Sequence, residues 1–329
     1  MNPIPSSTPA PAPTPNPNPT PTVQSLPPPP RHPGESRDPR PPKSPLGRIV
    51  TFGRMIRFSH SIFALPFALA AFVLATRRSG FDPEKLLWVI VAMVGARSAA
   101  MGFNRWLDAD IDALNPRTAA RELPTGALLR SQVLAFVIAS SAVLVFAAWR
   151  LNPLCFALSP LALVIVCGYS FTKRFTMLSH AVLGLSLAIA PVGAWLSVRG
   201  QFELTPIPIG LAVLFWVGGF DILYSCQDVE FDHKLTLHSI PVRFGVPKAL
   251  RFARAAHVLA IAFLLSVALV EPLHWAYVAG VALIGALFVY EHSLVKADDL
   301  SKIDAAFFTV NGWIGVLYFI TVLIASFLR

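Results

Sequence analysis

Between Asn104 and Gly126 the chain reads NRWLDADIDALNPRTAARELPTG, a charged stretch that directly follows the end of a strongly apolar run. On an α-helix turning about 100° per residue, Asn104, Asp108 and Asp112 are spaced i, i+4, i+8 and line one face, while Asp110 points the other way. Arg97, seven residues before Asn104, falls on the same face two turns deeper. Three oxygen ligands on one face suit a hard divalent cation such as Mg2+, which prefers carboxylates, carbonyls and phosphate oxygens. The plain alternative is that these carboxylates mark a helix end at the water boundary, with Arg117 and Arg121 as anchors.

A second stretch, FDILYSCQDVEFDHKLTLHSIPVRFG from Phe220 to Gly245, has the same character. Asp221, Tyr224, Asp228 and Asp232 are spaced i, i+3, i+7, i+11, again one helical face, and Glu230 points away. Each acidic face is followed by a basic loop containing Pro and Gly, RELPTG in one case and HSIPVRFG in the other. The pair is therefore expected to form two walls of one site. Carboxylates holding metal ions inside a ring of Arg and Lys need an anion to complete the shell, and a diphosphate does this because its oxygens bridge metals while basic side chains neutralise the rest.

The elements that must carry these residues are set by composition. Of the 329 residues, 54% are hydrophobic and 14% charged, and the mean hydropathy is +0.59, which makes this an integral membrane protein. Nine apolar segments can be drawn at roughly 58–76, 86–107, 131–149, 151–171, 177–198, 204–226, 252–270, 272–290 and 305–328, each near the 20 residues that cross a hydrocarbon core of about 30 Å. Residues 1–45 hold 18 of the 30 prolines and almost no large apolar side chains, so they are expected to be a disordered, partly polyproline II tail ahead of a membrane domain at 46–329. If the N-terminus and every second connection share one side, that side collects 20 of the 27 basic residues, and the positive-inside rule makes it cytoplasmic, at the inner membrane of a cell. The net charge of +9 is accounted for by this asymmetry and the tail, without nucleic acid. A diphosphate site at the cytoplasmic end of a lipid-embedded bundle fits a long isoprenoid diphosphate. Cys155, Cys167 and Cys226 lie in apolar spans without metal-ligand spacing and are expected to be buried thiols. His180, His257, His274 and His292 have no i, i+4 partner and are expected to be ordinary buried or interfacial histidines, whereas His60 and His238 lie near the mouth of the site.

NxxxDxxxD at Asn104–Asp112 followed by NPRTAARELPTG, DxxxD at Asp228–Asp232 preceded by FDILYSCQ, and YSFTKRF at 169–175 resemble the signature regions of the UbiA superfamily of intramembrane prenyltransferases. The resemblance runs over most of residues 50–328, and within the superfamily it is to 4-hydroxybenzoate polyprenyltransferases and their relatives in quinone biosynthesis. It implies an all-α bundle of about nine transmembrane helices around a central cavity open to the cytoplasm and to lipid. It also implies Mg2+-dependent transfer of a polyprenyl group from its diphosphate to an aromatic acid. Carried over residue by residue, Asn104, Asp108 and Asp112 form one metal wall, Asp228 and Asp232 the other, and Asp221 is a supporting carboxylate in catalysis. Lys173, Arg117 and Arg121 would hold the diphosphate, with Arg57, Arg97 and Tyr224 as further substrate-binding candidates. Arg97 has two readings, a partner for the acceptor's carboxylate or a structural salt bridge to a neighbouring helix. Many members have Asp directly after the motif Asn, where this chain has Arg105, so its first wall has one carboxylate fewer. Two alternatives stand beside this reading: a hydroxynaphthoate acceptor on a menaquinone route, and a transporter of an anionic solute, whose site would sit near the midplane instead of at helix ends.

Overall fold

The structure, a computed structural model, describes residues 45–56 and 64–328; the expected tail up to residue 44, Arg57 and His60 lie outside the described residues. All regular structure described is helical: α1 (Pro45–Met55), α2 (Leu65–Ser79), α3 (Pro83–Leu114), α4 (Arg130–Leu151), α5 (Pro153–Thr172), α6 (Ser179–Arg199), α7 (Pro206–Ser225), the short α8 (Val229–Lys234) and α9 (Ile240–Phe244), α10 (Val246–Val270), α11 (Ala276–Leu294) and α12 (Asn311–Phe327). Among the described residues eight helical segments are long and apolar enough to cross a membrane. The ninth expected segment is occupied by α2, whose 15 residues begin at the edge of the undescribed stretch.

Each connection on the side away from the acidic motifs is built from breaker and capping residues. Asp82 accepts from the Glu84 and Lys85 amides at 2.9 and 3.2 Å with Pro83 behind it, and Asn152 accepts from the Cys155 amide at 2.9 Å ahead of Pro153, so α3 and α5 start where Pro is tolerated and an orphan N–H finds an acceptor. Helix α6 ends at Gly200, whose φ of 67° needs the left-handed region. Salt bridges tie this end together, with Arg78 to Glu271 at 2.7 Å, Arg199 to Glu203 at 2.9 Å, and the Thr205 hydroxyl donating to Glu271 at 2.5 Å.

Helix α3 packs mainly on α4, α6 on α7, and α7 on α10. In lipid such contacts depend on close backbone approach, and small residues permit it. At Gly184 of α6 a Cβ would lie 2.3 Å from the Leu214 carbonyl oxygen of α7. At Gly95 of α3 it would lie 2.9 Å from the Leu144 nitrogen of α4. The core between α2, α6, α7 and α10–α12 is aromatic, with Phe67, Trp195, Trp216, Tyr277 and Tyr318 buried. The Trp216 indole donates to Asn311 at 2.6 Å and the Asn311 amide donates to Glu291 at 2.8 Å, so the polar end of Trp216 is partnered inside the bundle. Gly184→Ala is expected to cost about 1–3 kcal/mol by forcing α6 and α7 apart, while Gly168→Ala, with open space around it, should be neutral; thermal unfolding of both variants in detergent checks the contrast.

Candidate active site

The two acidic stretches meet at one end of the bundle, around a cavity of about 330 Å³ bounded by α3, α5, α6, α7, the loops after α3 and α8, and the turn that leads into α12. Helix α3 runs 32 residues without a break, so the helical spacing of its motif is kept in full. Asp108 and Asp112 are 2% and 5% exposed and Asn104 is half-buried, all lining the cavity, while Asp110 faces outward and pairs with Arg130. On the second wall the α-helical periodicity does not run through. Helix α7 gives way to a single 3-10 turn at Cys226–Asp228 before α8 resumes. Asp221, Tyr224, Asp228 and Asp232 still line the cavity and Glu230 is exposed.

Every carboxylate of the first wall is held by basic side chains. Lys173 and Arg174, at the end of α5, reach Asp108 at 2.9 and 2.6 Å. Asn104 donates to the other side of Asp108 at 3.1 Å. Arg121 meets both oxygens of Asp112 at 2.6 and 2.7 Å. Its loop folds back because the Asn115 side chain accepts from the Arg117 amide at 2.9 Å and the Thr118 hydroxyl donates to the Asp112 carbonyl at 2.9 Å, which stops α3. On the second wall Arg117 forms a two-pronged pair with Asp228 at 3.1 and 2.6 Å, and also donates to the Tyr224 hydroxyl at 3.1 Å. Burial works against the Arg117 charge, but the adjacent Asp228 carboxylate outweighs it and holds the guanidinium above its ordinary value. Arg105 is 6% exposed, points behind the wall to the Met55 carbonyl at 3.5 Å, and approaches Asp112 at 4.0 Å.

Among the described residues no three His, Cys, Asp or Glu side chains converge as a ready-made metal site. The donor set is nevertheless of the right kind, since Asn104, Asp108, Asp112, Asp228 and Asp232 offer only oxygen ligands to one cavity. A cation entering there would have to displace the arginines and lysine from the carboxylates.

A second layer lines the same cavity, in which Arg97 lies about two helical turns, or about 10 Å, inward of Asn104 on α3. It contains Arg97 of α3, Tyr169 of α5, His180 of α6 and Asp221 of α7, with Leu183, Leu187, Val217 and Phe220 supplying an apolar floor. Arg97 has no carboxylate partner among the described residues, and its Nε is buried without a hydrogen bond. The alternative of a structural salt bridge is therefore not what the described residues form. Phe307 and Phe308, on a π-helical turn at Ala305–Val310, close the cavity from α12, and Phe307 packs on Tyr224 with ring centroids 4.1 Å apart.

Three of these features escape a reading of helical faces. Arg174 stands beside Lys173 and its adjacency was the available signal. Phe307 and Phe308 depend on the π turn, which no spacing rule announces. His180 has no partner on its own helix but meets Asp221, 41 residues away, at 2.7 Å. His257 and His292 likewise pair across α10 and α11 at 3.0 Å, away from this cavity.

The model of the UbiA prenyltransferase family matches residues 64–315. The chain belongs to the UbiA prenyltransferase family. Among curated relatives, the 4-hydroxybenzoate octaprenyltransferase of Tolumonas auensis is 30% identical over 75% of this chain and 86% of its own length. That of Cupriavidus metallidurans is 27% identical over 86% of this chain and 96% of its own. The apo structure of a UbiA homolog from Aeropyrum pernix K1 superposes with a TM-score of 0.74 at 32% identity, covering 80% of this chain and 97% of that one. A UbiA homolog from Archaeoglobus fulgidus, bound to DMAPP and Mg2+, shares the fold at a TM-score of 0.68 and 21% identity, over 85% of this chain and 100% of that one. The multi-span helical bundle is thus the UbiA fold.

The geometry separates the carboxylates within each motif. If the cavity-facing carboxylates hold a metal, Asp112→Asn and Asp232→Asn are expected to lower the rate of diphosphate release by about 10- to 100-fold, whereas Asp110→Asn and Glu230→Gln should retain it; a reversed pattern in a release assay would show that the helix register is wrong.

Proposed function

We propose that this protein transfers a polyprenyl group from an isoprenoid diphosphate to a ring carbon of an aromatic acid of the 4-hydroxybenzoate type, in quinone biosynthesis, with release of diphosphate. The observation that carries this is the two-layered cavity. Four carboxylates, Asp108, Asp112, Asp228 and Asp232, and a ring of Lys and Arg sit at its mouth, and an apolar floor with Asp221 and the unpaired Arg97 lies beneath them. The relatives named for 4-hydroxybenzoate octaprenyl transfer match over most of their length and support the same chemistry. The excess of basic residues in the loops around the mouth supports a cytoplasmic orientation by the positive-inside rule.

Mg2+ would be held by Asn104, Asp108 and Asp112 on one side and Asp228 and Asp232 on the other, where it supplies positive charge to stabilise the departing diphosphate. Lys173, Arg117 and Arg121 turn from the carboxylates to the diphosphate oxygens, so no charge need be imported for that step. The allylic C1–O bond then ionises, and the ring carbon beside the phenol hydroxyl attacks C1. No protein nucleophile is required. Arg97 holds the acceptor's carboxylate in the inner layer, where a guanidinium offers two parallel donors.

Purified protein supplied with Mg2+, a panel of prenyl diphosphates and aromatic acids should yield a C-prenylated acid by mass spectrometry together with diphosphate, and chelation of divalent cations should abolish both. Product only from a hydroxynaphthoate would move the enzyme to a menaquinone route; uptake of solute with no diphosphate release would contradict the enzyme reading. Arg97→Lys is expected to raise the KM for the acceptor by about 10-fold or more through loss of the two-pronged contact, with the KM for the prenyl diphosphate little changed, as steady-state kinetics with each substrate varied in turn would show.

A further inference from the structure

The inner layer contains a pair that the transfer step does not yet use. The His180 ring is 3% exposed, and its Nε2 accepts from the backbone N–H of Ile240 at 3.3 Å. An amide nitrogen can only donate, so the imidazole carries its proton on Nδ1, and Nδ1 donates to Asp221 Oδ2 at 2.7 Å. The Asp221 side chain is 25% exposed, and that exposure opens into the cavity. Asp221, on α7, precedes Asp228 by seven residues that end in the 3-10 turn, and Arg97 precedes Asn104 by seven residues on α3, so both stand inward of the mouth, on the side of an acceptor ring whose carboxylate is on Arg97.

We propose that His180 is a positioning residue: it fixes one oxygen of Asp221 and leaves the carboxylate aimed at the acceptor, where Asp221 takes the proton that the ring must lose. This rests on the transfer reaction proposed above. The step balances as follows. The C1–O bond to diphosphate breaks with its electron pair on oxygen, a ring-carbon to C1 bond forms from the ring's π electrons, and the C–H pair at that carbon returns to the ring as the proton passes to Asp221. The same loop joins this pair to the diphosphate end of the cavity. The amide of His238 donates to the Lys173 carbonyl at 2.7 Å, and Ile240, two residues on, sets the His180 tautomer. Docking of the loop after α8 against α5 and orientation of Asp221 are therefore mechanically linked.

A glutamine at this position has an amide that can donate to Asp221 and a carbonyl that can accept from the Ile240 N–H, whereas phenylalanine fills the space and does neither. The test compares wild type, His180→Phe, His180→Gln and Asp221→Asn in prenyl transfer, using acceptor with hydrogen or deuterium at the ring carbon that is substituted. His180→Phe should lower kcat by about 10- to 100-fold, leave the KM for the prenyl diphosphate unchanged, and raise the isotope effect on kcat above that of wild type because proton loss has become limiting. His180→Gln should return both the rate, to within several-fold, and the isotope effect toward wild type. If His180→Phe fails to fold, Asp221→Asn should still show the slower rate and the raised isotope effect. The proposal is overturned if His180→Phe keeps the wild-type rate, if it slows with an unchanged isotope effect, if His180→Gln is as impaired as His180→Phe, or if Asp221→Asn shows neither change. A wild-type protein that prenylates no aromatic acid would instead overturn the reaction on which the proposal rests.

Discussion

The site depends on how buried carboxylates are kept charged at the end of a membrane bundle. A lone ionised carboxylate removed from water loses several kcal/mol of solvation, so it persists only with partners. Here Asp108 is held by Lys173 and Arg174, Asp112 by Arg121, and Asp228 by Arg117. Counting the cavity and its contacts, five carboxylates stand against six cationic side chains, Arg97, Arg105, Arg117, Arg121, Lys173 and Arg174, so the cavity is close to neutral as it stands. Adding a divalent cation alone, or a diphosphate alone, would unbalance it. On the proposed reaction, adding both would restore the balance, with carboxylates turning to metal and basic side chains to phosphate, and binding and charge exchange would be one event.

The rest of the bundle keeps that exchange in register. Uninterrupted α3 sets the spacing from Arg97 through Asn104 to Asp112. The close approach of α6 to α7 at Gly184 brings His180 within reach of Asp221. Salt bridges at the far end, from Arg78 to Glu271 and from Arg199 to Glu203, fix the opposite ends of the helices. The second layer is thereby held between closely packed helices, while the ion pairs at the mouth are made by Lys173, Arg117 and Arg121, whose side chains are partly exposed.

Much of this was legible in the sequence because it is periodic. Asp110 and Glu230 are turned away and Asn104, Asp108 and Asp112 share a face, as helical spacing requires, and the apolar segments correspond to the helices that span the bundle. What periodicity does not encode is contact between elements. His180 reads as an ordinary buried histidine because its partner, Asp221, is on another helix and its tautomer is set by a backbone amide at the start of α9. The 3-10 turn at Cys226–Asp228 and the π turn carrying Phe307 and Phe308 depend on tertiary packing. The one irregular backbone position in the neighbouring loop, Thr236 with φ 53°, is likewise invisible in composition, since a β-branched residue is the last expected there. Arg97 was ambiguous in sequence because a salt bridge and an anion site need the same residue; only the described structure shows it without a carboxylate.

The most direct test of the exchange is calorimetric titration of Mg2+, and separately of a prenyl diphosphate analogue, into wild type and Arg121→Gln. On the proposed reaction Arg121, paired with Asp112, would compete with a cation for that carboxylate but assist a diphosphate. Its removal is therefore expected to tighten binding of Mg2+ alone by about 10-fold, within the ordinary range of coupling between sites, and to weaken binding of the analogue. Loss of affinity for both ligands, or no change in either, would contradict the account.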